Sequence, residues 1–269
     1  MVFNIEILQT PKKWFASLIF LIFAKNMTIY EITQIGEHHT NYCEDYVLTA
    51  SLGEDQLLCA VMDGCTMATE SYFASTLIGK ILRKIAKEVS YKSFVDKKEI
   101  SIEKLLKEIV DQLFNELRNL KNILFLEKEE LLSTLLIGVV EIKNQSGEFL
   151  AIGDGMFCID GKVTEFEQDN KPDYFGYHLD ENFEKWYASQ NQRISAKQIQ
   201  DLSICTDGIF TFQRFDNQEY QSADNVIDFL LNDNEGFENQ NMLKKKVSEI
   251  EKNWGLKPTD DLGIIRIIF

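Results

Sequence analysis

The chain has 269 residues, of which 45% are hydrophobic and 26% are charged, and its formal net charge is −15. This length suffices for one large domain, and the apolar content is too high for an intrinsically disordered chain. Because nucleic-acid binding needs clustered Lys and Arg to neutralise phosphates, the acidic balance argues against a nucleic-acid partner. Five cysteines without a C-x-x-C pair favour a reduced protein over a disulfide framework or a zinc site.

The first 26 residues contain an apolar run, 14–24, that two lysines precede. As a helix this run would rise about 16 Å, which is short of a bilayer core of about 30 Å. No small-x-small cleavage site follows it, so residues 1–26 are interpreted as an N-terminal extension of uncertain role. A packed terminal segment and a membrane or export signal are the alternatives. We expect a cytoplasmic protein without a stable membrane span, whose main domain is 27–269.

Hydrophobic periodicity predicts strands and two long helices in the first half of this domain. The apolar residues of both helices recur at i+3 and i+4, so the helices are expected to pack as an antiparallel pair. The predicted strands cover 28–35, 45–51 and 56–62, and the predicted helices cover 68–89 and 100–121.

The second half returns to short apolar strands and then ends in helices and one strand. Segment 161–200 is polar and aromatic, and it is predicted to be irregular with one short helix. Strands and helices come in blocks, which favours an α+β fold over a parallel doubly wound sheet. The other predicted strands cover 133–142, 148–153, 156–159, 202–206 and 262–269, and helices cover 223–231 and 239–253.

Several short apolar strands begin or end on an acidic residue. Because buried strands bring their ends to a common rim, these carboxylates can converge although they are far apart in sequence. Like charges held close repel unless a cation lies between them, and hard oxygen ligands suit Mg²⁺ or Mn²⁺. The alternative is that each Asp-Gly pair is an ordinary turn. The acids concerned are Asp45, Asp63, Asp154, Asp207 and Asp260.

Taken in order, these residues resemble the metal-dependent phosphatases of the protein phosphatase 2C family. The resemblance runs from about Gly36 to Phe269 and depends on the ordered set of short motifs. Cys43-Glu44-Asp45 resembles the family's Asn-Glu-Asp, Ala60 to Gly64 its V-x-D-G strand end, Ala74-Ser75 its Ala-Ser pair, Ser133-Thr134 its Ser-Thr pair, Ala151 to Gly155 its N-x-G-D-S, Cys205 to Gly208 its S-D-G, and Asp260-Asp261-Leu262 its D-N-x-T.

The resemblance implies a four-layer α-β-β-α sandwich, in which two antiparallel sheets are flanked by helix pairs. It also implies two divalent cations, Mn²⁺ or Mg²⁺, that the catalytic residues Asp63, Asp207 and Asp260 hold. Asp63 would bridge both ions, the Gly64 carbonyl would complete the shell of the second, and Asp207 and Asp260 would hold the first.

Three further acids are implied around these ions, together with a flap. Glu44 and Asp45 would lie near the second ion, partly through waters. Asp154 with Asp207 would form a weaker third site. Segment 161–200 corresponds to the family's flap beside the active site.

Two positions depart from the family pattern. Thr40 stands where the family often has an arginine that binds the substrate phosphate, and His38 or His39 could substitute for this cation. Cys65 follows the Asp-Gly pair, where some members have a histidine that acts as a general acid. His178 is interpreted as a structural or surface histidine.

Two functions fit this pattern. The leading hypothesis is a phosphoserine and phosphothreonine protein phosphatase, in which a metal-bridging hydroxide attacks phosphorus in line. Its partner would be a phosphorylated protein, and the oligomeric state is left open. The alternative is a phosphatase-like regulatory or binding module with weak or no activity. The missing arginine motivates the alternative, and the retained Asp63, Asp207 and Asp260 argue for catalysis.

Overall fold

The computed structural model of the chain describes residues 27–68, 70–96, 100–167, 173–215 and 225–269. The predicted N-terminal extension, residues 1–26, lies outside these ranges. Each of the five cysteines lies within them, and each is a free thiol.

The strands of the described ranges form two five-stranded antiparallel sheets and a two-stranded ribbon. Sheet I contains, in spatial order, β1 (Thr28–Gln34), β12 (Leu262–Ile268), β9 (Asp201–Cys205), β6 (Gly155–Ile159) and β7 (Lys162–Phe166). Sheet II contains β2 (Tyr46–Ser51), β3 (Gln56–Met62), β4 (Leu135–Glu141), β5 (Ser146–Ile152) and β8 (Arg193–Ala196). The ribbon pairs β10 (Phe212–Arg214) with β11 (Leu256–Pro258).

The helices of the described ranges are two long ones and three short ones. None of them is both long enough and apolar enough to cross a bilayer. They are α1 (Phe73–Asp96), α2 (Ile102–Leu124), α3 (Phe183–Ser189), α4 (Val226–Leu231) and α5 (Met242–Glu249).

Apolar side chains form three layers in the described part of the chain. One layer lies between the two sheets, one between sheet II and the pair α1–α2, and one between sheet I and the pair α4–α5. β12 shows how one strand serves two layers, because successive side chains of a strand point to opposite faces. Ile264 packs with α4 and α5, whereas Ile265 packs between the sheets. The predicted α+β fold with four layers is confirmed.

Segment 161–200 contains more regular structure than the sequence predicted. Besides the short helix α3, it contains β7 at the edge of sheet I and β8 at the edge of sheet II. The one short helix is confirmed, whereas the prediction that the rest of the segment is irregular is wrong for the two edge strands. Each of these edge strands packs on the rest of its sheet along one side only, so neither carries the continuous apolar run that marks a central strand. Within the described residues, the stretch 173–192 connects the two sheets.

The two long helices are confirmed, but their bounds differ from the predicted ones. α1 begins at Phe73 and not at 68, because residues 70–73 form a turn in which the Phe73 N–H donates to the Glu70 carbonyl. α2 begins after Ser101, whose hydroxyl accepts a hydrogen bond from the Lys104 N–H. The predicted helix 239–253 is divided into α5 and a following π-helical turn, Ile250–Trp254.

A fully buried arginine lies within the apolar layer beneath α4. The side chain of Arg266 on β12 is 0% exposed and forms an ion pair with Asp201, with a nitrogen–oxygen distance of 2.6 Å. It also donates to the carbonyls of Leu230, at 3.0 Å, and Asp233, at 2.9 Å. Because Arg266 binds both Asp201 on β9 and carbonyls at the end of α4, it connects this helix to sheet I.

We predict that Arg266→Met lowers the free energy of unfolding by roughly 3 kcal/mol, because it leaves the part-buried Asp201 carboxylate and the Leu230 carbonyl without this donor. The matched control is Arg83→Met, which replaces an exposed arginine of α1 and should change stability by about 0.5 kcal/mol or less. Urea unfolding followed by circular dichroism measures both. Equal effects of the two substitutions would contradict the role assigned to Arg266.

Candidate active site

The five acids predicted to converge lie at strand ends on one rim shared by both sheets. Asp45 precedes β2, Asp63 follows β3, and Asp154 joins β5 to β6. Asp207 follows β9, and Asp260 lies just before β12. The prediction that these strands begin or end on acidic residues is confirmed. The antiparallel register of the strands decides which of the acids are neighbours.

Asp45 and Asp63 form the half of the site that sheet II contributes. Tyr46 on β2 pairs with Met62 on β3, so the residues one step beyond stand side by side. Their carboxyl groups are both buried and lie close enough for each to influence the pKa of the other. Burial raises the pKa of both acids well above the ordinary value, and the charge of Asp207 raises both further.

Asp154, Asp207 and Asp260 form the half that sheet I contributes. Met156 on β6 pairs with Cys205 on β9, and Asp154 and Asp207 lie two residues beyond this pair. Burial raises the pKa of Asp207 to about 7, and the charges of Asp154 and Asp260 add to this effect. Burial is also the largest cause of the raised pKa of Asp154.

Threonine hydroxyl groups hold these acids in place. The hydroxyl of Thr206 donates to Asp45 Oδ2 at 2.7 Å and accepts from the Gly263 N–H at 2.8 Å, which links the two sheets. The hydroxyl of Thr134 accepts from the Asp63 N–H at 3.1 Å. The other oxygen of Asp45, Oδ1, is buried, and no hydrogen-bond donor among the described residues reaches it.

A second network surrounds Asp261, which the sequence placed in a motif without assigning it a role. Asp261 is 1% exposed and accepts the N–H groups of Gly36, at 2.7 Å, and Glu44, at 2.5 Å. His39 Nδ1 lies 3.0 Å from Asp261 Oδ2 and 3.8 Å from Asp260 Oδ1. Burial lowers the pKa of His39, but the negative charges of Asp261, Glu44 and Asp260 outweigh it, so the net pKa is raised.

Thr40 and His39, the residues expected at the substrate-phosphate position, have different surroundings. His39 is largely buried against the acids and lies 3.8 Å from Glu44 Oε1, whereas Thr40 is exposed. His38, also considered, is exposed as well. The side chain of Glu44 accepts the Thr66 hydroxyl at 3.0 Å. His39 therefore faces the carboxylates, and Thr40 faces the solvent.

Gly64, whose carbonyl was predicted to bind metal, is held tightly against neighbouring backbone. Its N–H donates to the Glu44 carbonyl at 3.2 Å, and the Ser75 hydroxyl donates to the same carbonyl at 2.5 Å. A Cβ at this position would overlap the Ser71 carbonyl, so only glycine fits. This packing fixes the turn after β3 and with it the position of Asp63.

The chemistry of this rim fits divalent cations. Among the described residues, no three His, Cys, Asp or Glu side chains stand close enough together to form a ready-made metal shell. The donors are nevertheless hard carboxylate oxygens, and burial raises the pKa of Asp45, Asp63 and Asp207. One of these oxygens, Asp45 Oδ1, is buried without a donor. Mg²⁺ or Mn²⁺ would neutralise this charge and satisfy such an oxygen.

Sequence reasoning overlooked the residues that position the acids. Asp261 carried a usable signal, because two consecutive acids before a buried strand exceed what a turn requires. Thr206 and Thr134 carried a weaker one, since each is a hydroxyl residue beside an apolar strand. Their roles depend on contacts across sheets, which no local pattern encodes.

Comparison with family models gives one match to this chain. The model described as protein phosphatase 2C matches residues 36–248. This range covers well over half of the chain and includes every acid of the rim except Asp260 and Asp261. A comparison with curated protein sequences found no match.

Solved structures share the fold at low sequence identity. The phosphatase domain with a fragment of the regulatory domain of SpoIIE from Bacillus subtilis is 14% identical, with a TM-score of 0.54, covering 90% of this chain. This chain spans 63% of that structure. The serine/threonine phosphatase Stp1 from Staphylococcus aureus is 12% identical, with a TM-score of 0.58, and the match covers 90% of this chain and 94% of Stp1. RsbX in complex with magnesium is 13% identical, with a TM-score of 0.51, over 90% of this chain and 94% of RsbX.

The raised pKa values predict how the metal-free protein responds to pH. Above the unfolded pKa of about 3.9, the folded protein retains protons that the unfolded chain releases, so stability falls as pH rises toward the folded pKa. For Asp207 this window ends at about 7. In EDTA we expect Tm to fall between pH 5 and 8, and Asp207→Asn should make this fall smaller.

Differential scanning fluorimetry across this pH range measures both changes. Asp55→Asn is the matched control, because Asp55 is exposed and lies in the turn between β2 and β3. Mn²⁺ should restore Tm most strongly at pH 8, where the carboxylates are charged. Identical pH slopes for wild type and Asp207→Asn would contradict the pKa assigned to Asp207.

Proposed function

Because the chain belongs to the protein phosphatase 2C family, we propose that it hydrolyses phosphoserine and phosphothreonine esters in proteins, with Mn²⁺ or Mg²⁺ as cofactor. The observation that carries this proposal is the convergence of five acids from both sheets on one rim, where burial raises the pKa of Asp45, Asp63, Asp154 and Asp207. Stp1, a serine/threonine phosphatase, and RsbX, which was solved with magnesium, share the fold and support the proposal. The phosphatase domain is proposed to be 27–269.

Each acid of the rim has a proposed role toward two ions. Asp63 would contact both, the Gly64 carbonyl would serve the second, and Asp207 and Asp260 would hold the first. Glu44 and Asp45 would lie near the second ion, and Asp154 with Asp207 would form a weaker third site. When bound, the ions supply an acidified water and neutralise the charge of the phosphoryl group.

The protein's own residues order and charge this site. Thr206 fixes one oxygen of Asp45, so the other is left for a ligand. Thr211 holds the backbone of Asp260, since its hydroxyl accepts the Asp260 N–H at 3.1 Å. When protonated, His39 places a positive charge against Asp261 and Glu44, which lowers the repulsion that an incoming phosphate would meet. Such preorganised charge is the main protein contribution to phosphoryl transfer.

A phosphatase-like regulatory module with weak activity is the second candidate. Thr40 is exposed and uncharged where the family often has an arginine, and this favours weak phosphate binding. Against it stand the buried carboxylates, because a site without a ligand would gain stability by losing them. Kinetics on a phosphothreonine peptide and on p-nitrophenyl phosphate separate the two functions.

We predict that hydrolysis of a phosphothreonine peptide requires Mn²⁺ or Mg²⁺ and is lost in excess EDTA. Asp63→Asn should lower kcat by about 10²-fold or more, because one carboxylate serves both ions. Asp55→Asn, an exposed acid remote from the rim, should retain wild-type turnover. Full activity in EDTA would refute metal dependence, and wild-type turnover by Asp63→Asn would remove Asp63 from the site.

We further predict that Thr40→Arg lowers KM for p-nitrophenyl phosphate about tenfold, because a charge-assisted hydrogen bond to phosphate is worth about 1.5–3 kcal/mol. Thr40→Gln, which is of similar length but neutral, should have little effect. Steady-state kinetics at fixed Mn²⁺ measures both variants. An unchanged KM in Thr40→Arg would mean that the loop before Asp45 does not face the substrate.

A further inference from the structure

A short helical turn, Phe175–His178, lies beside the rim and is held there from two sides. The Phe175 N–H donates to the Ser133 carbonyl at 3.1 Å, and Ser133 pairs with Gly64 in an isolated bridge. On the other side, a Cβ added at Gly153 would come within 2.7 Å of the Asp173 carbonyl, so the two backbones are in close contact. The residue between these two anchors is Tyr174.

The core underneath makes this placement rigid. The ring of Phe175 is 0% exposed and makes edge contacts with Phe114, at a centroid distance of 5.9 Å, and Trp186, at 5.5 Å. His178 contacts an acid on each side of the turn. Its Nε2 lies 2.8 Å from Asp173 Oδ1, and its Nδ1 lies 2.6 Å from Glu181 Oε1. His178 is thus structural, as the sequence predicted, and the segment around Tyr174 is a fixed wall of the site.

Tyr174 is half-buried and lies between the two strand ends that carry Asp63 and Asp154. Its side chain lies near Cys65, the residue after the Asp63-Gly64 pair, and near Asp63 and Asp154, whose charges act on its hydroxyl. Anions cannot hydrogen-bond to the surrounding carboxylates, whereas a phenol offers a donor. The Tyr174 hydroxyl is therefore a hydrogen-bond donor among acids that repel phosphate.

We propose that the Tyr174 hydroxyl donates a hydrogen bond to a non-bridging oxygen of the substrate's phosphoryl group and so supplies part of the phosphate recognition that Thr40 does not. This role rests on the proposed function, because it assumes that a phosphoryl group enters the rim. Tyr174 is a specificity residue in this role and takes no part in breaking the ester bond.

Two further observations support Tyr174 over its neighbours. A phenol ordinarily titrates at about 10, and burial raises the pKa of Tyr174 further, so the hydroxyl stays protonated and remains a donor. His39, the other candidate, already faces three carboxylates and has little capacity left for a substrate.

The test compares Tyr174→Phe with Tyr177→Phe in the full chain loaded with Mn²⁺. Tyr177 is the matched control, because it lies in the same turn with its ring 5.5 Å from that of Tyr174 but is 40% exposed. Phenylalanine keeps the ring and removes only the hydroxyl. Calorimetric titration with inorganic phosphate gives Kd, and kinetics on p-nitrophenyl phosphate gives KM and kcat separately.

Tyr174→Phe should raise both Kd for phosphate and KM by about tenfold, with kcat within about threefold of wild type, because the bond forms with substrate and transition state alike. Tyr177→Phe should leave all three unchanged, and Tm should be the same in all proteins. A merely structural tyrosine would change Tm, or kcat alone, and leave phosphate affinity intact.

The outcomes separate this inference from the proposed function. Hydrolysis by the wild type with equal phosphate affinity in Tyr174→Phe would overturn the inference and leave the function standing. Phosphate binding that depends on Tyr174, without hydrolysis of any phosphoester, would refute the function and keep the inference. A wild type that binds no phosphate in Mn²⁺ would overturn the inference.

Discussion

The mutual repulsion of carboxylates gathered on one rim is the constraint on which the rest of this structure depends. Asp45 and Asp63 are neighbours because β2 and β3 pair in a fixed antiparallel register, and Asp154 and Asp207 are neighbours for the same reason on sheet I. Burying these groups without partners is costly, and their raised pKa values express this cost. The apolar layers supply the favourable free energy that keeps the acids together.

Hydrogen bonds between the two sheets hold the acids of the rim in place. The Thr206 hydroxyl connects Asp45, just before β2 of sheet II, to Gly263 on β12 of sheet I. The two halves of the rim therefore cannot separate without breaking these two hydrogen bonds. Asp261, in a position where the family motif has asparagine, adds another acid, and His39 faces it at 3.0 Å. Asp261 and His39 are thus paired with each other. This pairing explains why His39 is directed at the acids and Thr40 at the solvent.

The elements with a marked apolar pattern were predictable, whereas the edge strands and the ribbon were not. α1, α2 and the central strands follow from apolar spacing, because a buried face must be apolar along its whole length. The edge strands β7 and β8 and the ribbon β10–β11 lack such runs, since their pairing depends on a neighbour that is distant in sequence. The starts of α1 at Phe73 and of α2 after Ser101 depended instead on local turns and caps.

The sequence by itself determined the order of acidic strand ends, and with it the fold class, the family resemblance and the donor chemistry of the rim. A strand that ends on Asp63 and another that ends on Asp207 are local patterns, readable without coordinates. Only the tertiary structure decided that Asp261 accepts two backbone N–H groups, that His39 faces the carboxylates and that Tyr174 lies between two strand ends. These placements arise from contacts between residues far apart in the chain, and such contacts leave no periodic trace in the sequence.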